Sequence, residues 1–221
     1  MTRFLLAAVL ALLPLAARAQ TEQQILVDRA TLTVQEMLAG SPQSDARNLL
    51  RRATGAMICP RVFKAGFIFG GQGGSCVLVG RTQAGWTYPA FYGLGSGSFG
   101  LQIGIQDAQL LIIVLTQKGL QALLDSQFKF GADAGVAVAT VGAGVQGSTT
   151  AALKADIVAF SMARGLYAGI TLDGSLISAR SEWNSIYYGR PIAAQQIVLQ
   201  GDGNNPGAEP LREMLARFSG G

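Results

Sequence analysis

The chain contains no histidine, which is the most common general base and metal ligand of proteins. Ser–His–Asp and Cys–His catalysis are therefore excluded, and no Gly-x-Ser-x-Gly nucleophile elbow is present. Two cysteines without a histidine make a poor metal site. The carboxylates are scattered, so only the fold could bring two of them together as an acid–base pair: Asp107, Asp125, Asp133, Asp156, Asp173 and Glu182. The residues predict no enzyme, no metal and no cofactor.

Two Gly-x-Gly-x-x-Gly patterns occur, beginning at Gly95 and at Gly142. A dinucleotide site requires a strand, the glycine turn, a helix and an acidic residue about 20 positions further on. A strand-like segment, LQIGIQ, follows the first pattern. After the second, Asp156 comes too early and Asp173 lies in a predicted hairpin turn. We therefore interpret both patterns as glycines that let strands turn sharply or approach another backbone.

The first 19 residues have the pattern of a cleaved signal peptide. Arg3 supplies the positive charge, Phe4 to Ala17 form an apolar segment too short to cross a bilayer, and Ala17-Arg18-Ala19 fits the cleavage pattern. No cysteine follows closely enough to be a lipid attachment site. We expect a periplasmic or secreted protein that begins at Gln20, with its net charge reduced from +4 to +2. So small a charge does not indicate a nucleic-acid partner.

The stretch from Lys64 to Asp107 alternates short apolar runs with glycine clusters, which is typical of consecutive antiparallel strands joined by tight turns. Strands are predicted over residues 62–70, 74–81, 86–92, 98–106, 110–116, 132–141, 151–161, 165–172 and 175–179, the last two joined by a turn at Asp173-Gly174. Helices are predicted over residues 23–39, 46–58, 117–126, 191–199 and 209–218.

These elements predict an α+β fold: a single domain of mainly antiparallel, glycine-rich strands with flanking N-terminal helices and short C-terminal helices. After the signal peptide (residues 1–19) we expect an N-terminal helical segment (20–45), a main domain (46–201), and a linker with an amphipathic C-terminal helix (202–221). The apolar side of that last helix is expected to dock on the domain rather than to enter a membrane.

The densest basic group lies at the end of the second predicted helix and just after it. Its members are Arg51, Arg52, Arg61 and Lys64, and Arg81 is a further candidate. One interpretation is a solvated helix face. The other is a site for anionic lipid head groups, since basic residues are attracted to anionic membrane surfaces.

Three aromatic residues, Trp86, Tyr88 and Phe91, lie close together in the sequence of a predicted strand. Packing in the core accounts for such a cluster. The alternative is contact with the interfacial layer of a bilayer, where tryptophan and tyrosine are enriched. Under that alternative, these side chains would supply the apolar contacts of a bound lipid.

Cys59 and Cys76 are 17 positions apart, and an oxidising compartment would allow them to form a disulfide. Whether they do so depends on the geometry of the two strands or helices that carry them. The spacing is not that of a Cys-x-x-Cys redox motif.

Five motifs follow one another along the chain: KAGFIFGG from Lys64 to Gly71, WTYPA from Trp86 to Ala90, GLQIGIQD from Gly100 to Asp107, GLYAGITLDGS from Gly165 to Ser175, and Asn184 with Tyr187, Tyr188 and Gly189. Together and in this order they resemble the SYLF domain family, over a region from Ala46 to about Gly201. The chain resembles an exported bacterial member. It departs from the family at Cys76, where a small residue is usual, and at Cys59, in a usually apolar stretch; both departures favour a disulfide.

The resemblance implies an α+β domain without known catalysis. Eukaryotic members bind phosphoinositide membranes, and some bind actin filaments, whereas exported bacterial members look like lipid-binding proteins. For an exported protein we expect actin not to be a partner, so only lipid binding is carried over.

Our leading hypothesis is a non-catalytic exported protein that associates peripherally with anionic phospholipid at a membrane surface, or that holds a lipid-like ligand. The alternative is a structural or assembly protein of the cell envelope that acts through protein–protein contacts. In that case the C-terminal helix would bind an envelope protein partner.

Overall fold

A computed structural model describes residues 21–40, 45–66, 69–99, 104–125, 127–130, 133, 135–140, 155–164, 172 and 174–220. Three predictions lie outside these residues: the signal peptide, the second glycine pattern and most of the predicted strand over residues 165–172.

Helices flank the sheet at both ends of the chain. The helices are α1 (Glu22–Leu38), α2 (Asp45–Arg51), α3 (Gln117–Leu124), α4 (Ser181–Tyr188) and α5 (Glu209–Ser219), with a π-helical turn at Gln196–Gln200 and a 3₁₀ turn at Pro206–Ala208. Helix α1 begins where the hydroxyl of Thr21 accepts a hydrogen bond from the backbone N–H of Gln24, as an N-cap does. The helices predicted over residues 23–39, 117–126 and 209–218 are confirmed.

Within the described residues, nine strands form the sheet. They are β1 (Gly55–Gly66), β2 (Phe69–Thr82), β3 (Gly85–Trp86), β4 (Ala90–Phe99), β5 (Gly104–Val114), β6 (Gln127–Lys129), β7 (Val136–Thr140), β8 (Ile157–Arg164) and β9 (Leu176–Ala179). Their order is β6-β9-β4-β2-β1-β5-β8-β7, and β3 pairs with β2. Only β7 and β8 pair in parallel among these strands, so the predicted α+β class with mainly antiparallel strands is confirmed.

The second predicted helix, over residues 46–58, is wrong in its second half. Helix α2 ends at Arg51, and β1 begins at Gly55. From Ala56 to Cys59 every side chain is buried, because β1 lies between β2 and β5 with both of its faces covered. A short, continuously apolar segment has the same pattern in a buried helix and in a buried strand, so periodicity could not separate the two.

The boundaries of several predicted strands also differ. The segment predicted over 62–70 is divided between β1, which ends at Gly66, and β2, which begins at Phe69. The segment over residues 86–92 is interrupted, because β3 ends at Trp86 and β4 begins at Ala90. Pro89 lies in the break and has no N–H to donate to a neighbouring strand. The segment over 98–106 is divided between the end of β4 and the start of β5, and β5 then continues through most of the predicted strand over 110–116.

The sheet has two buried faces. One, which we call the α1 face, carries Ile58, Val77, Phe91 and Leu111 and is covered by α1, α2 and α5. The opposite, or α3, face includes Met57, Cys76, Tyr92, Leu110 and Ile112 and packs with α3 and the segment before the π-helical turn. Both α1 and α5 therefore contribute to the core on the α1 face.

The segment before α5 is held closely against the rest of the domain. Gln24 of α1 donates a hydrogen bond to the backbone oxygen of Gly207 at 2.8 Å. Asn205 donates to the backbone oxygen of Tyr187 at 2.9 Å. A Cβ atom at Gly203 would lie 2.9 Å from that of Tyr88, so the backbone passes too near for a larger residue. Residues 203–207 are therefore held against the domain, and they lead directly into α5, which packs on it.

Asp156 connects the start of α3 to the parallel strands. Its carboxylate accepts a hydrogen bond from the Thr116 hydroxyl at 2.7 Å, and this bond is the main cause of the lowered pKa of Asp156. A carboxyl with a lowered pKa stabilises the fold at neutral pH, and the contribution is lost as the pH falls below about 4. We expect Asp156→Asn to lower the Tm by roughly 2–4 °C at pH 7 and by less at pH 3.

Calorimetry at the two pH values measures this difference. Asp125→Asn, which removes the same charge at the exposed end of α3, is the control and should change the Tm little. An equal loss for Asp156→Asn at both pH values would contradict a role for its ionised form.

Candidate functional site

Cys59 and Cys76 form a disulfide that joins the adjacent strands β1 and β2 in the buried core. The S–S distance is 2.00 Å. Cys59 lies where the pairing of β1 with its neighbours shifts register, between Ile58 and Val62. The bond therefore crosslinks two central strands at an irregular point of the sheet. In the described part of the chain, no three His, Cys, Asp or Glu side chains come together as a metal site.

The basic residues proposed from the sequence do not form one patch. Arg51 and Arg52 are exposed at the end of α2. Arg81 donates a hydrogen bond to the backbone oxygen of Arg51 at 2.7 Å and packs over the ring of Trp86. Its position thus stabilises the end of α2 against β2 and β3.

Arg61 and Lys64 lie further along β1. A strand rises about 3.3 Å per residue, so Arg61 is roughly 20 Å from the start of β1 at Gly55. Arg61 and Lys64 are three positions apart in a regular part of the strand, and their side chains therefore point to opposite faces. Arg61 is on the α1 face and forms an ion pair with Asp107 at 2.6 Å.

The three aromatic candidates are largely buried or packed within the fold. Trp86 is 3% exposed, and its indole N–H donates to the hydroxyl of Ser219 at 3.1 Å. Phe91 is fully buried and packs edge-to-face with Tyr187. These two side chains are not accessible to a membrane in this conformation, because the core encloses them.

Tyr88, the third candidate, is half-buried beneath α5. Its hydroxyl is hydrogen-bonded to the carboxylate of Glu209, and this bond raises the pKa of Tyr88. The guanidinium of Arg212 lies 4.3 Å from the centre of its ring. The interpretation as packing residues fits all three aromatics.

A groove between α1 and the sheet brings Arg61 together with residues that were not predicted from the sequence. Its volume is about 470 Å³, and its lining includes Leu26 and Arg29 of α1 and Arg61 and Phe63 of β1. Arg29 is exposed, and Phe63 is 41% exposed. Nearby on α1, Leu32 is 56% exposed and lines the adjoining part of the groove. Two arginines and exposed apolar side chains therefore share one groove between α1 and the central strand β1.

Sequence alone gave only a weak signal for this groove. Leu32 belongs to the apolar positions of α1, whose stripe is not clean, and the structure leaves it exposed. Arg61 and Phe63 are two positions apart on a strand, so they share a face. Their proximity to Arg29 depends on the packing of α1 across β1.

Comparisons with known proteins identify the family. Residues 95–218 match the family model Ysc84, described as "Las17-binding protein actin regulator". The chain belongs to the Ysc84/SYLF family. The SH3 domain-containing YSC84-like protein 1 of Homo sapiens is 32% identical over 175 residues, which are 78% of this chain and 51% of that protein. The LAS seventeen-binding protein 3 of Saccharomyces cerevisiae (strain ATCC 204508 / S288c) is 29% identical over 180 residues, 80% of this chain and 39% of that protein.

This chain spans about half the length of the curated human relative and less of the yeast one. The family description and the name of the yeast relative refer to Las17 binding, and none of the three names denotes an enzyme. They also correct one expectation from the sequence. The expectation that actin is not a partner is wrong as a general exclusion, because the matching family model is described as an actin regulator and the yeast relative as a Las17-type binding protein.

No helix in the described ranges has both the length and the apolar character needed to cross a membrane.

Proposed function

We propose that this member of the Ysc84/SYLF family is a non-catalytic binding domain that associates with the surface of anionic phospholipid membranes. The observation that supports the proposal is the pairing of Arg29 and Arg61 with the exposed side chains of Phe63 and Leu32 along one groove. Arginines attract and hydrogen-bond lipid phosphates. The neighbouring apolar side chains can then enter the head-group layer.

The charges of the groove set the expected strength of the interaction. Each basic residue near an anionic membrane surface contributes about 1 kcal/mol, and the contribution decreases with salt. Asp107 offsets part of the charge of Arg61, and Glu36 lines the part of the groove that contains Leu32. The Arg61 side chain is 61% exposed, so a phosphate can reach its guanidinium. Weak, salt-sensitive binding is therefore expected, as for a peripheral protein.

Flotation with vesicles tests the proposal. We expect the protein to float with vesicles that contain phosphatidylglycerol, more strongly at low salt than at physiological salt, and not with pure phosphatidylcholine vesicles. The double substitution Arg29→Gln/Arg61→Gln should weaken binding roughly 30-fold, since about 2 kcal/mol of attraction is lost.

Arg51→Gln/Arg52→Gln is the matched control, because it removes the same charge at the other end of β1. Its binding should stay within a factor of a few of wild type. If both double variants lose binding equally, net charge rather than the groove is responsible. If neither variant changes binding, the groove is not the membrane site.

A second candidate function rests on the comparisons. We propose, as the alternative, that the domain binds an actin-regulatory protein, since the family model and the yeast relative are named for Las17 binding. Co-sedimentation with purified actin filaments, and pull-down with purified Las17, test this directly. Binding to either protein, together with failure to float with vesicles, would favour the alternative.

We further propose that the chain is exported, on the pattern of its first 19 residues. Mass spectrometry of the protein's N-terminus in the native source tests this. A protein that begins at Gln20 would support export, and one that retains Met1 or Thr2 would contradict it.

A further inference from the structure

Four glycines form a compact block on the α1 face of the sheet. Gly71 and Gly73 belong to β2, and Gly95 and Gly97 belong to β4. In the register of the two strands, Gly71 lies opposite Gly97, and Gly73 lies opposite Gly95. Residues opposite each other in an antiparallel pair share a face, as do residues two positions apart. The result is a floor that carries no side chains, which we call the glycine trough.

Neither backbone conformation nor packing accounts for these four glycines. The glycines with positive φ among the described residues lie elsewhere, in turns and helix ends. A Cβ atom added at any of the four would meet no described atom closer than 3.6 Å. By contrast, a Cβ at Gly74 or Gly80 would lie 2.5 or 2.3 Å from a backbone oxygen. Glycine within a strand often marks a place where a ligand approaches the backbone.

Apolar side chains border the trough on both sides. Phe63 of β1 lies opposite Gly73, and Leu176 of β9 lies opposite Gly95. Both are more than 40% exposed, at 41% and 44%. Strands lie about 4.8 Å apart, so β1 and β9 are separated by roughly 14 Å, and from Gly93 to Gly97 the floor extends for roughly 14 Å. These dimensions leave room for a hydrocarbon chain along the strands.

The inner end of the trough is positively charged. Arg61 lies opposite Ser75, and Ser75 lies opposite Gly93, so the three residues form one row across the sheet. The Nε of Arg180 lies 3.1 Å from the position of a Cβ at Gly93. Asp107 is on β5, on the far side of β1 from the trough. The Nε of Arg61 bonds to Asp107, so its guanidinium extends toward β5, and an anionic group at this end of the trough would therefore lie beside the guanidinium of Arg180.

We propose that the glycine trough binds one acyl chain of an anionic lipid, with the head group beside Arg180. This inference rests on the proposed function for its class of ligand and adds the site of the hydrocarbon chain. The glycines are required because a side chain in the floor would occupy the volume of the acyl chain. Phe63 and Leu176 contact the chain from the two sides, and Arg180 selects a negative charge at one end.

The test uses a soluble probe, lauroyl lysophosphatidylglycerol, below its critical micelle concentration. Isothermal titration calorimetry should detect binding of this probe to the wild-type protein, and no binding of glycerol phosphate, which lacks the chain. Gly73→Val/Gly95→Val should weaken binding at least tenfold while the Tm stays the same or rises, because valine favours strands more than glycine does. Arg180→Gln should also weaken binding of the probe, although it leaves the four glycines of the trough unchanged.

Gly40→Val is the matched control, since Gly40 also has open space around its Cβ position and lies outside the trough. Its affinity should equal that of wild type. If the valine pair does not fold, Gly73→Ala/Gly95→Ala replaces it, because both Cβ atoms fit without contact below 3.6 Å. Absence of probe binding to wild type, or full affinity in a folded trough variant, overturns the inference.

Vesicle flotation separates this inference from the proposed function. If the trough variant binds the probe as wild type does, while Arg29→Gln/Arg61→Gln abolishes flotation, the inference fails and the membrane proposal stands. If wild type does not float but binds the probe, and the trough variant loses the probe, the inference stands and the membrane proposal fails.

Discussion

Deletion of residues 204–221 is expected to abolish cooperative folding of the domain. The deletion removes α5, whose Leu211 and Leu215 are fully buried, and exposes Trp86 beneath it. Burial of each large apolar side chain contributes about 1.5–3 kcal/mol, so the loss exceeds roughly 5 kcal/mol and approaches the whole stability of a typical domain. Near-ultraviolet circular dichroism and a thermal melt measure the outcome.

The control for this deletion is Glu213→Gln/Arg217→Gln, which alters only exposed positions of α5 and leaves the net charge the same. This variant should melt within about 2 °C of wild type. A sharp, wild-type-like melt of the deleted chain would show that α5 is an appendage rather than part of the core. The same result bears on the hypothesis that the C-terminal helix binds an envelope protein partner. The apolar side of α5, which that hypothesis assigns to the partner, is buried in the domain.

Loss of the Cys59–Cys76 disulfide is expected to cost about 3 kcal/mol of stability, which corresponds to a fall in Tm of roughly 6–12 °C. The bond closes a loop of sequence separation 17, and its absence increases the conformational freedom of the unfolded chain. Both sulfurs are buried, so Cys59→Ala/Cys76→Ala also loses some packing. Urea unfolding of wild type with and without reductant, and of the double variant, measures the effect.

The reduced wild-type protein serves as the control for packing, because it keeps both sulfur atoms and lacks only the bond. We expect the double variant to be equal to or slightly less stable than reduced wild type. Equal stability of oxidised and reduced wild type would contradict a stabilising role for the crosslink.

Local patterns were enough to predict much of the fold. The spacing of apolar residues predicted α1, α3 and α5, and the glycine-punctuated apolar runs predicted a mainly antiparallel sheet. These features are local, since a helix or a hairpin depends on residues close in the chain. The segment from Ala56 to Cys59 was predicted as a helix and is a strand, because burial on both faces removes the periodicity that would distinguish the two.

Only part of the candidate site could be predicted from such local patterns. Arg61 was chosen from the sequence and lies in the groove, whereas Arg29, Phe63 and Arg180 were not chosen. Their proximity arises from contacts between α1 and β1 and between β4 and the residues after β9, across long separations in the chain. No short-range pattern encodes such contacts.

By itself, the sequence determined the α+β class, the membership in a family recognised by its ordered motifs, and the absence of histidine chemistry. The tertiary structure alone decided which face of the sheet each residue occupies. Long-range packing buries Trp86 and Phe91, and the pairing register of β2 and β4 places four glycines together on one face. The reason is physical: a shift of register by one residue exchanges the two faces of a strand, and long-range packing selects the register.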